Sequence, residues 1–391
     1  MKERSCIIIT HQQSLESAGG GTLSCLEIAY HLDLLGVEVI VVPRFRPHLD
    51  KPITDLKKLS CEVIPARCSR LHYLLNGLSV AKIVSKLLVE RKVDAVLSWD
   101  YEAAFLPKLL QSKGVTFGMI AAEPSYEMWI NRKTAMRPVK SMTDEWFRWR
   151  PLKQADVVFT LSNFTQKELV NLFKLEPSRI VNMHHGIDGR FKQIHRSFPG
   201  KVSNLIFYGS LAPLKGIFDV IEALGCVAAK GEKNWVLKVA GWGDEDLVRQ
   251  ALCKYGIEDR VILLGRLETQ ELVHELEWAH LAILPSRAES FGRAIAEAQA
   301  SMLPVISYEV GSIPEVVGKD ITGWLVPLKR VDRLAEAIIE AIQEPEKTFR
   351  MGVAGRERMA QLFSWEKTAV VILQGIEEAK TRQVQPMLPS S

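Results

Sequence analysis

Short apolar runs, each closed by a turn residue and followed by a helical stretch, recur along this chain, and that alternation restricts the fold more than any other feature. Residues 6–10 form the first run, followed by the cluster Gly19-Gly20-Gly21-Thr22, a helical run to Leu35, Gly36, and a second apolar run over 38–42. Further strands are expected at 61–64, 95–98, 116–121 and 157–160, and again at 204–208, 235–240, 260–264 and 281–284. Strand, crossover helix and strand in succession build parallel sheets covered on both faces, so an α/β protein of doubly wound domains is expected. A chain of 391 residues has room for two such domains, each with its own core. Sheets of this kind collect ligands beyond the carboxyl ends of their strands, where Asp100, Glu102, Glu123, Tyr126 and Trp129 fall. An acid beside an aromatic ring suits a carbohydrate, whose hydroxyls need acceptors and whose C–H face stacks.

Charge and composition exclude several classes. A net charge of +4 with 25% charged residues describes a mildly basic protein, and no nucleic-acid partner is expected from charge. The apolar run at the start, 6–9, is too short for a signal peptide, and nothing approaches the roughly 18 apolar residues of a bilayer span, so a cytoplasmic protein is expected. Cysteines at 6, 25, 61, 68, 226 and 253 fit reduced thiols, and Cys61, Cys68 and His72 lack zinc spacing. Asp244 and Asp246 follow a Gly-x-Gly turn and open a helix, where acids favour the dipole, so neither a metal nor another cofactor is expected. Residues 128–153 carry Trp129, Trp146 and Trp149 among seven basic residues. That segment reads either as a peripheral contact with an anionic membrane, at the inner face, or as amphipathic helices with buried tryptophans and solvated charges.

The functional centre lies in 284–317. An apolar strand at 281–284 is closed by Pro285, and the Ala- and Glu-rich run 291–300 reads as a helix. Between them stands a tight loop with Glu289, and Ser290 is the expected N-cap. The first turn of a helix leaves N–H groups unpaired and partly positive, a seat for phosphate, and Gly292 has no Cβ to keep a ligand from the backbone. Glu289 precedes that seat and Glu297 lies about two turns beyond it. Upstream, the strand over 204–208 runs into Gly209-Ser210-Leu211-Ala212-Pro213-Leu214-Lys215-Gly216 and a helix. A lysine there is placed to meet a diphosphate.

Glu-Ser-Phe-Gly, then Ala-x-Ala-x-x-Leu-Pro-Val-Ile, then Gly-Ser-Ile-Pro-Glu-Val-Val resembles the donor-site signature of retaining glycosyltransferases of the GT-B fold, family four. The resemblance spans almost the whole chain and is densest over 204–327. It implies two Rossmann-like domains facing a cleft: an acceptor domain at 1–190, a donor domain at 200–364 after a hinge at 189–201, a helix at 365–380 crossing back, and a disordered tail at 381–391. It implies a donor site drawn from Gly209, Ser210, Lys215, Gly243, Gly265, Arg266, Glu289, Ser290, Phe291, Gly292, Arg293 and Glu297, faced by Gly20 and Gly21. Gly265 and Arg266 match the place of the nucleotide base, Glu289 that of the donor sugar, and Glu297 that of the ribose. Gly311 and Glu315 complete the pocket, and His184 and His185 lie near the cleft, with packing the simpler account of both.

Two departures stand out. Ser210 replaces an arginine, and where many members carry a histidine after the strand 116–121 this chain has Ala-Ala-Glu-Pro-Ser-Tyr, with Glu123 the nearest polar group. The implied activity is metal-independent hexosyl transfer with retention, from a UDP- or GDP-sugar to a hydroxyl of unidentified sugar, lipid or small-molecule type. Glu289, Lys215 and Glu123 would be its catalytic groups and Asp100, Tyr126 and Trp129 its acceptor side. A degenerate regulatory or sugar-binding relative, and an epimerase or phosphorylase on the same fold, are the alternatives.

Overall fold

The computed structural model describes residues 5–11, 20–45, 61–67, 73–122 and 145–384. It divides into two units, one formed by the chain up to Gly186 and from Trp365 onward, the other by Ile187–Ser364.

The first unit holds β1 (Cys6–His11), β2 (Glu38–Phe45), β3 (Glu62–Val63), β4 (Ala66–Arg67), β5 (Ala95–Trp99), β6 (Thr116–Ala121), β7 (Val157–Thr160) and β8 (Ile180–Asn182). They form one parallel sheet in the order β3-β2-β1-β5-β6-β7-β8, with β4 beside β2. Ile8 stands opposite Ile40 on one side and Val96 on the other. Every residue of β1, β5, β6 and β7 is buried, which is why these strands read as unbroken apolar runs and not as alternations. The strand expected at 61–64 is found only over Glu62–Val63, and a second short strand follows at Ala66–Arg67 beyond Pro65, which has no N–H to give the ladder.

The last helix, Trp365–Val384, packs on the helix Gly20–Leu34 and on β6 and β7. Gly375 makes that approach possible, since a Cβ there would stand 2.8 Å from the Phe159 ring. Lys380 reaches Asp94 at 3.1 Å near the far end. The helix continues to Val384, so 381–384, expected in a disordered tail, are helical, and the remaining tail residues lie outside those described.

The second unit holds β9 (Asn204–Ser210), β10 (Val236–Trp242), β11 (Val261–Gly265), β12 (Leu281–Ile283), β13 (Val305–Tyr308) and β14 (Gly323–Val326), all parallel, in the order β11-β10-β9-β12-β13-β14. The segment 189–201, expected as a hinge, opens with a short helix, Gly189–Lys192, capped by Asp188. The strand order reverses between β1 and β5 in one sheet and between β9 and β12 in the other. At such points two neighbouring loops leave in opposite directions and open a crevice at the carboxyl ends. Among the described residues no helix is long and apolar enough to cross a membrane.

Candidate active site

The β9/β12 reversal brings together the two loops that carry the site. After β9, Pro213–Lys215 forms one 3-10 turn, closed by Gly216 at φ 79°. Gly216 is required twice over: its φ is left-handed, and a Cβ there would stand 2.2 Å from the Pro285 carbonyl oxygen. Arg287 N–H donates to the Leu214 carbonyl at 2.8 Å, so the loop after β12 is stitched to the loop after β9. Lys215 thereby meets Glu289, with Nζ 2.5 Å from Oε1.

The backbone of Glu289 is fixed from its other side. Its carbonyl accepts from Ser312 N–H and from Ser312 Oγ, each at 3.2 Å. Gly311 lies so close that a Cβ would fall 2.3 Å from that oxygen.

Beneath these loops lies a polar cluster to which the sequence reading gave no role. Asp219, in the first turn of the helix Ile217–Ala229, accepts from Arg287 Nη2 at 2.6 Å and Nε at 3.1 Å, and from the Tyr308 hydroxyl at 3.0 Å. Its side chain is only 8% exposed. Burial and then the Asp219 charge push the Tyr308 phenol well up, so it remains a donor. The cluster ties the end of β13 and the helix after the Lys215 loop to the loop that carries Glu289.

The expected helix runs over Arg293–Ala300. Ser290 is not its N-cap. The cap is Gly292, in the left-handed region at φ 86°, with no side-chain capping bond. Space is not what requires glycine here, because a Cβ at 292 would meet Ile295 at an ordinary 3.5 Å. The positive φ requires it, and it turns the chain so that the first N–H groups of the helix are uncapped by a side chain. At the other end Arg356 Nε donates to the Ala300 carbonyl at 3.0 Å and Arg196 Nε to the Ser301 carbonyl at 2.7 Å. Two guanidinium groups there oppose the negative end of the helix dipole and anchor the helix.

Glu297 projects from this helix and is buried at 6%. Arg293 Nε lies 3.2 Å from its carboxylate. Burial raises its pKa, Arg293 pulls it down, nearby Asp188 raises it and Arg190 lowers it, and the net direction is upward. Asp188 is gripped by Arg190, with Nε 3.1 Å from both carboxylate oxygens. Phe291 is 4% exposed with its ring edge-on to Phe363 at 5.3 Å, so its side chain packs in the core.

The remaining positions expected on the donor side lie at or next to the neighbouring strand ends. Gly209 has φ 138° and ends β9 with Ser210. Gly243 has φ 155°, and a Cβ there would fall 2.7 Å from Leu211 Cβ. Gly265, at φ 67°, ends β11, and the next residue, Arg266, holds its guanidinium 5.9 Å from the Trp242 ring. That indole is 61% exposed at the end of β10. The sequence reading passed it by, although an aromatic between two glycines at a strand end was the signal. Asp244 accepts from Leu247 N–H at 3.1 Å and caps the next helix. Glu315 lies in the first turn of the helix Ile313–Val316.

In the first unit the β1/β5 reversal places His11 and Trp99 together, ring centroids 5.4 Å apart, edge to face. Gly20 opens the following helix, and a Cβ on Gly21 would stand 3.4 Å from His11 Nε2. His11 escaped the sequence reading because a histidine was expected at the end of β6. His185 is buried at 5%, its Nε2 2.6 Å from Ser24 Oγ and its ring 4.6 Å from Trp365, while His184 has φ 51°. Asp100 begins the 3-10 turn after β5. Glu123, Tyr126 and Trp129 lie outside the described residues, as do 128–144 of the basic segment. Within the rest, Trp149 packs on Phe173 at 4.4 Å, whereas Trp146 is 59% exposed beneath Arg150, 4.6 Å from its ring. Among the described residues no group of three or more His, Cys, Asp or Glu is placed to hold a metal ion.

Two family models match this chain: Glycosyltransferase Family 4 over residues 18–190 and Glycosyl transferases group 1 over 191–358. The chain is 30% identical over 243 residues to a glycogen synthase of Mycobacterium tuberculosis, a match covering 61% of this chain and 58% of that protein. It is 28% identical over 238 residues to the MMP alpha-(1->4)-mannosyltransferase of Mycolicibacterium hassiacum, covering 60% and 56%. The chain thus spans little more than half the length of these relatives. A glycosyltransferase from Rickettsia africae superposes with TM-score 0.76 at 17% identity, over 96% of this chain and 99% of that one. Anabaena HepE in complex with UDP superposes with TM-score 0.72 at 17% identity, over 95% and 99%. The fold is the GT-B fold of two Rossmann-like domains.

Proposed function

We propose, for a chain that belongs to family four of the glycosyltransferases, the glycosyl transferases group 1, that it moves a hexosyl group from a UDP- or GDP-sugar to an acceptor hydroxyl, with retention of configuration and without a metal ion. The observation that carries this reading is the meeting of Lys215 and Glu289 at the β9/β12 reversal, just ahead of the helix that begins after Gly292. When the bond between the anomeric carbon and the diphosphate oxygen breaks, negative charge grows on the diphosphate. The Lys215 ammonium and the N–H groups of that helix stabilise charge where it develops, which is the effective form of electrostatic catalysis. Because the chain itself brings positive charge there, the leaving group does not depend on a cation. The acceptor oxygen bonds to the anomeric carbon on the face the diphosphate leaves, and its proton passes to a phosphate oxygen of the departing group. Glu289 holds hydroxyls of the transferred sugar and Glu297 holds the ribose.

The choice between UDP and GDP draws on relatives of both kinds: HepE was solved with UDP-glucose, and a Corynebacterium glutamicum relative is named as GDP-mannose-dependent. The exposed Trp146 and Arg150 support a peripheral contact with an anionic membrane surface. Sedimentation with anionic and with neutral vesicles tests that contact.

Calorimetric titration with UDP, GDP and ADP, first without metal and then with magnesium, tests the donor site. Binding of one nucleotide without metal, weakened in Lys215→Ala and Glu297→Ala, is the expected result. Binding of none of the three overturns the transferase reading and favours a degenerate regulatory relative.

A further inference from the structure

Lys215 and Glu289 are each other's partner in the structure, and they are also the groups assigned above to the diphosphate and to the sugar. The ammonium has three donors and can hold both groups, but a phosphate bound there stands beside the carboxylate. A phosphate oxygen on the Lys215 ammonium shares it with a carboxylate oxygen now 2.5 Å away, and the two anions repel in a site where the Glu289 side chain is 16% exposed. The backbones do not yield to relieve this. Gly216 abuts the Pro285 carbonyl, Gly311 abuts the Glu289 carbonyl, and Ser312 donates to that carbonyl twice. Only the two side chains are left to move.

The consequence differs for two ligands that share a diphosphate. An intact nucleotide-sugar displaces Glu289 from Lys215 and offers it sugar hydroxyls in return. A bare nucleoside diphosphate displaces it and offers nothing, so the carboxylate faces a like charge without a donor. The geometry points to Glu289 as a discriminating residue: it competes with the diphosphate for Lys215, favours the intact nucleotide-sugar over the spent nucleotide, and returns to Lys215 as the product leaves. This rests on the donor-site reading given above.

Calorimetry of wild type and Glu289→Gln with matched pairs, UDP against UDP-glucose and GDP against GDP-mannose, tests it. The expected result is that the substitution tightens the bare diphosphate by about fivefold, the upper range for an ion pair still open to solvent on its lysine side, and leaves the sugar nucleotide no tighter. In the Lys215→Ala background the gain disappears, because the competition runs through that ammonium. Equal tightening of both ligands, no change for the bare diphosphate, or the same gain without Lys215 each overturns the inference while nucleotide binding itself stands. If no nucleotide binds to wild type or to any variant, the donor-site reading fails, and the inference fails with it. Thermal unfolding of each variant checks that the binding is read on folded protein.

Discussion

Replacing Gly216 by alanine tests whether the Lys215 loop is held by close backbone packing, and a second glycine in the same unit supplies the control. Gly216 has φ 79°, and a Cβ there would meet the Pro285 carbonyl oxygen at 2.2 Å and its carbon at 2.9 Å. Gly256 ends the helix Glu245–Tyr255 at φ 63°, with nothing within 4 Å of where a Cβ would go. Both substitutions force alanine into a left-handed conformation, at about 1–2 kcal/mol. Only Gly216→Ala must also push the neighbouring backbones apart by about an ångström, an overpacking of about 1–3 kcal/mol. Gly216→Ala is therefore expected to cost about 2–5 kcal/mol in urea unfolding and to weaken nucleoside diphosphate binding, because the displaced loop carries Lys215 and meets the strand end leading to Glu289. Gly256→Ala is expected to cost about 1–2 kcal/mol and to leave binding unchanged. Equal destabilisation by the two, within about 0.5 kcal/mol, would refute the close-packing argument, since the φ term alone would then account for both.

Lys215→Ala removes a charge-assisted donor and is expected to weaken nucleoside diphosphate binding by about ten- to a hundredfold, read by calorimetry, with thermal unfolding reading what the unpaired Glu289 carboxylate, 16% exposed, costs the fold. Asp219→Ala leaves the buried Tyr308 hydroxyl without its acceptor and frees Arg287, whose 30% exposure lets it reach water. About 2–3 kcal/mol of stability should be lost, and the double variant with Tyr308→Phe should recover some of it. The pH dependence has two arms. Glu297 has a raised pKa, so its native form holds the proton longer than the unfolded chain and stability falls as pH rises above 4.5; Glu297→Gln should flatten that limb of a stability profile. For Asp188 burial works upward, but the Arg190 hydrogen bonds prevail and lower the pKa, so its contribution is lost as pH falls below 3.8; Asp188→Asn should remove that limb.

What the sequence made legible is what local rules decide. Strands 116–121 and 157–160 are found at the expected residues because buried parallel strands are written as unbroken apolar runs between turn signals. The error at the helix start is instructive in the same terms. Ser290 has the right chemistry for an N-cap, but Gly292 is free to take φ 86°, and that left-handed residue sets where the helix can begin. His11 and Trp99 stay hidden because their meeting depends on which strands become neighbours, which follows from the order of the whole sheet. The Asp219, Arg287 and Tyr308 cluster is hidden for the same reason, since its members stand 68 and 89 positions apart.

The Lys215–Glu289 pair shows why that distinction matters for function. Each residue was readable alone, from a loop before a helix and from a loop after a strand, and each pointed to a different region of one ligand. Their contact across 74 positions exists because β9 and β12 are neighbours at the point where the strand order reverses, with close-packed glycines holding the loops above them. The sheet therefore supplies more than a place for the two groups. By setting them within reach of each other it gives the Lys215 ammonium a carboxylate partner within the chain. A ligand must then bring its own partner for each half of the pair, and a diphosphate with a sugar attached does so where a diphosphate alone does not.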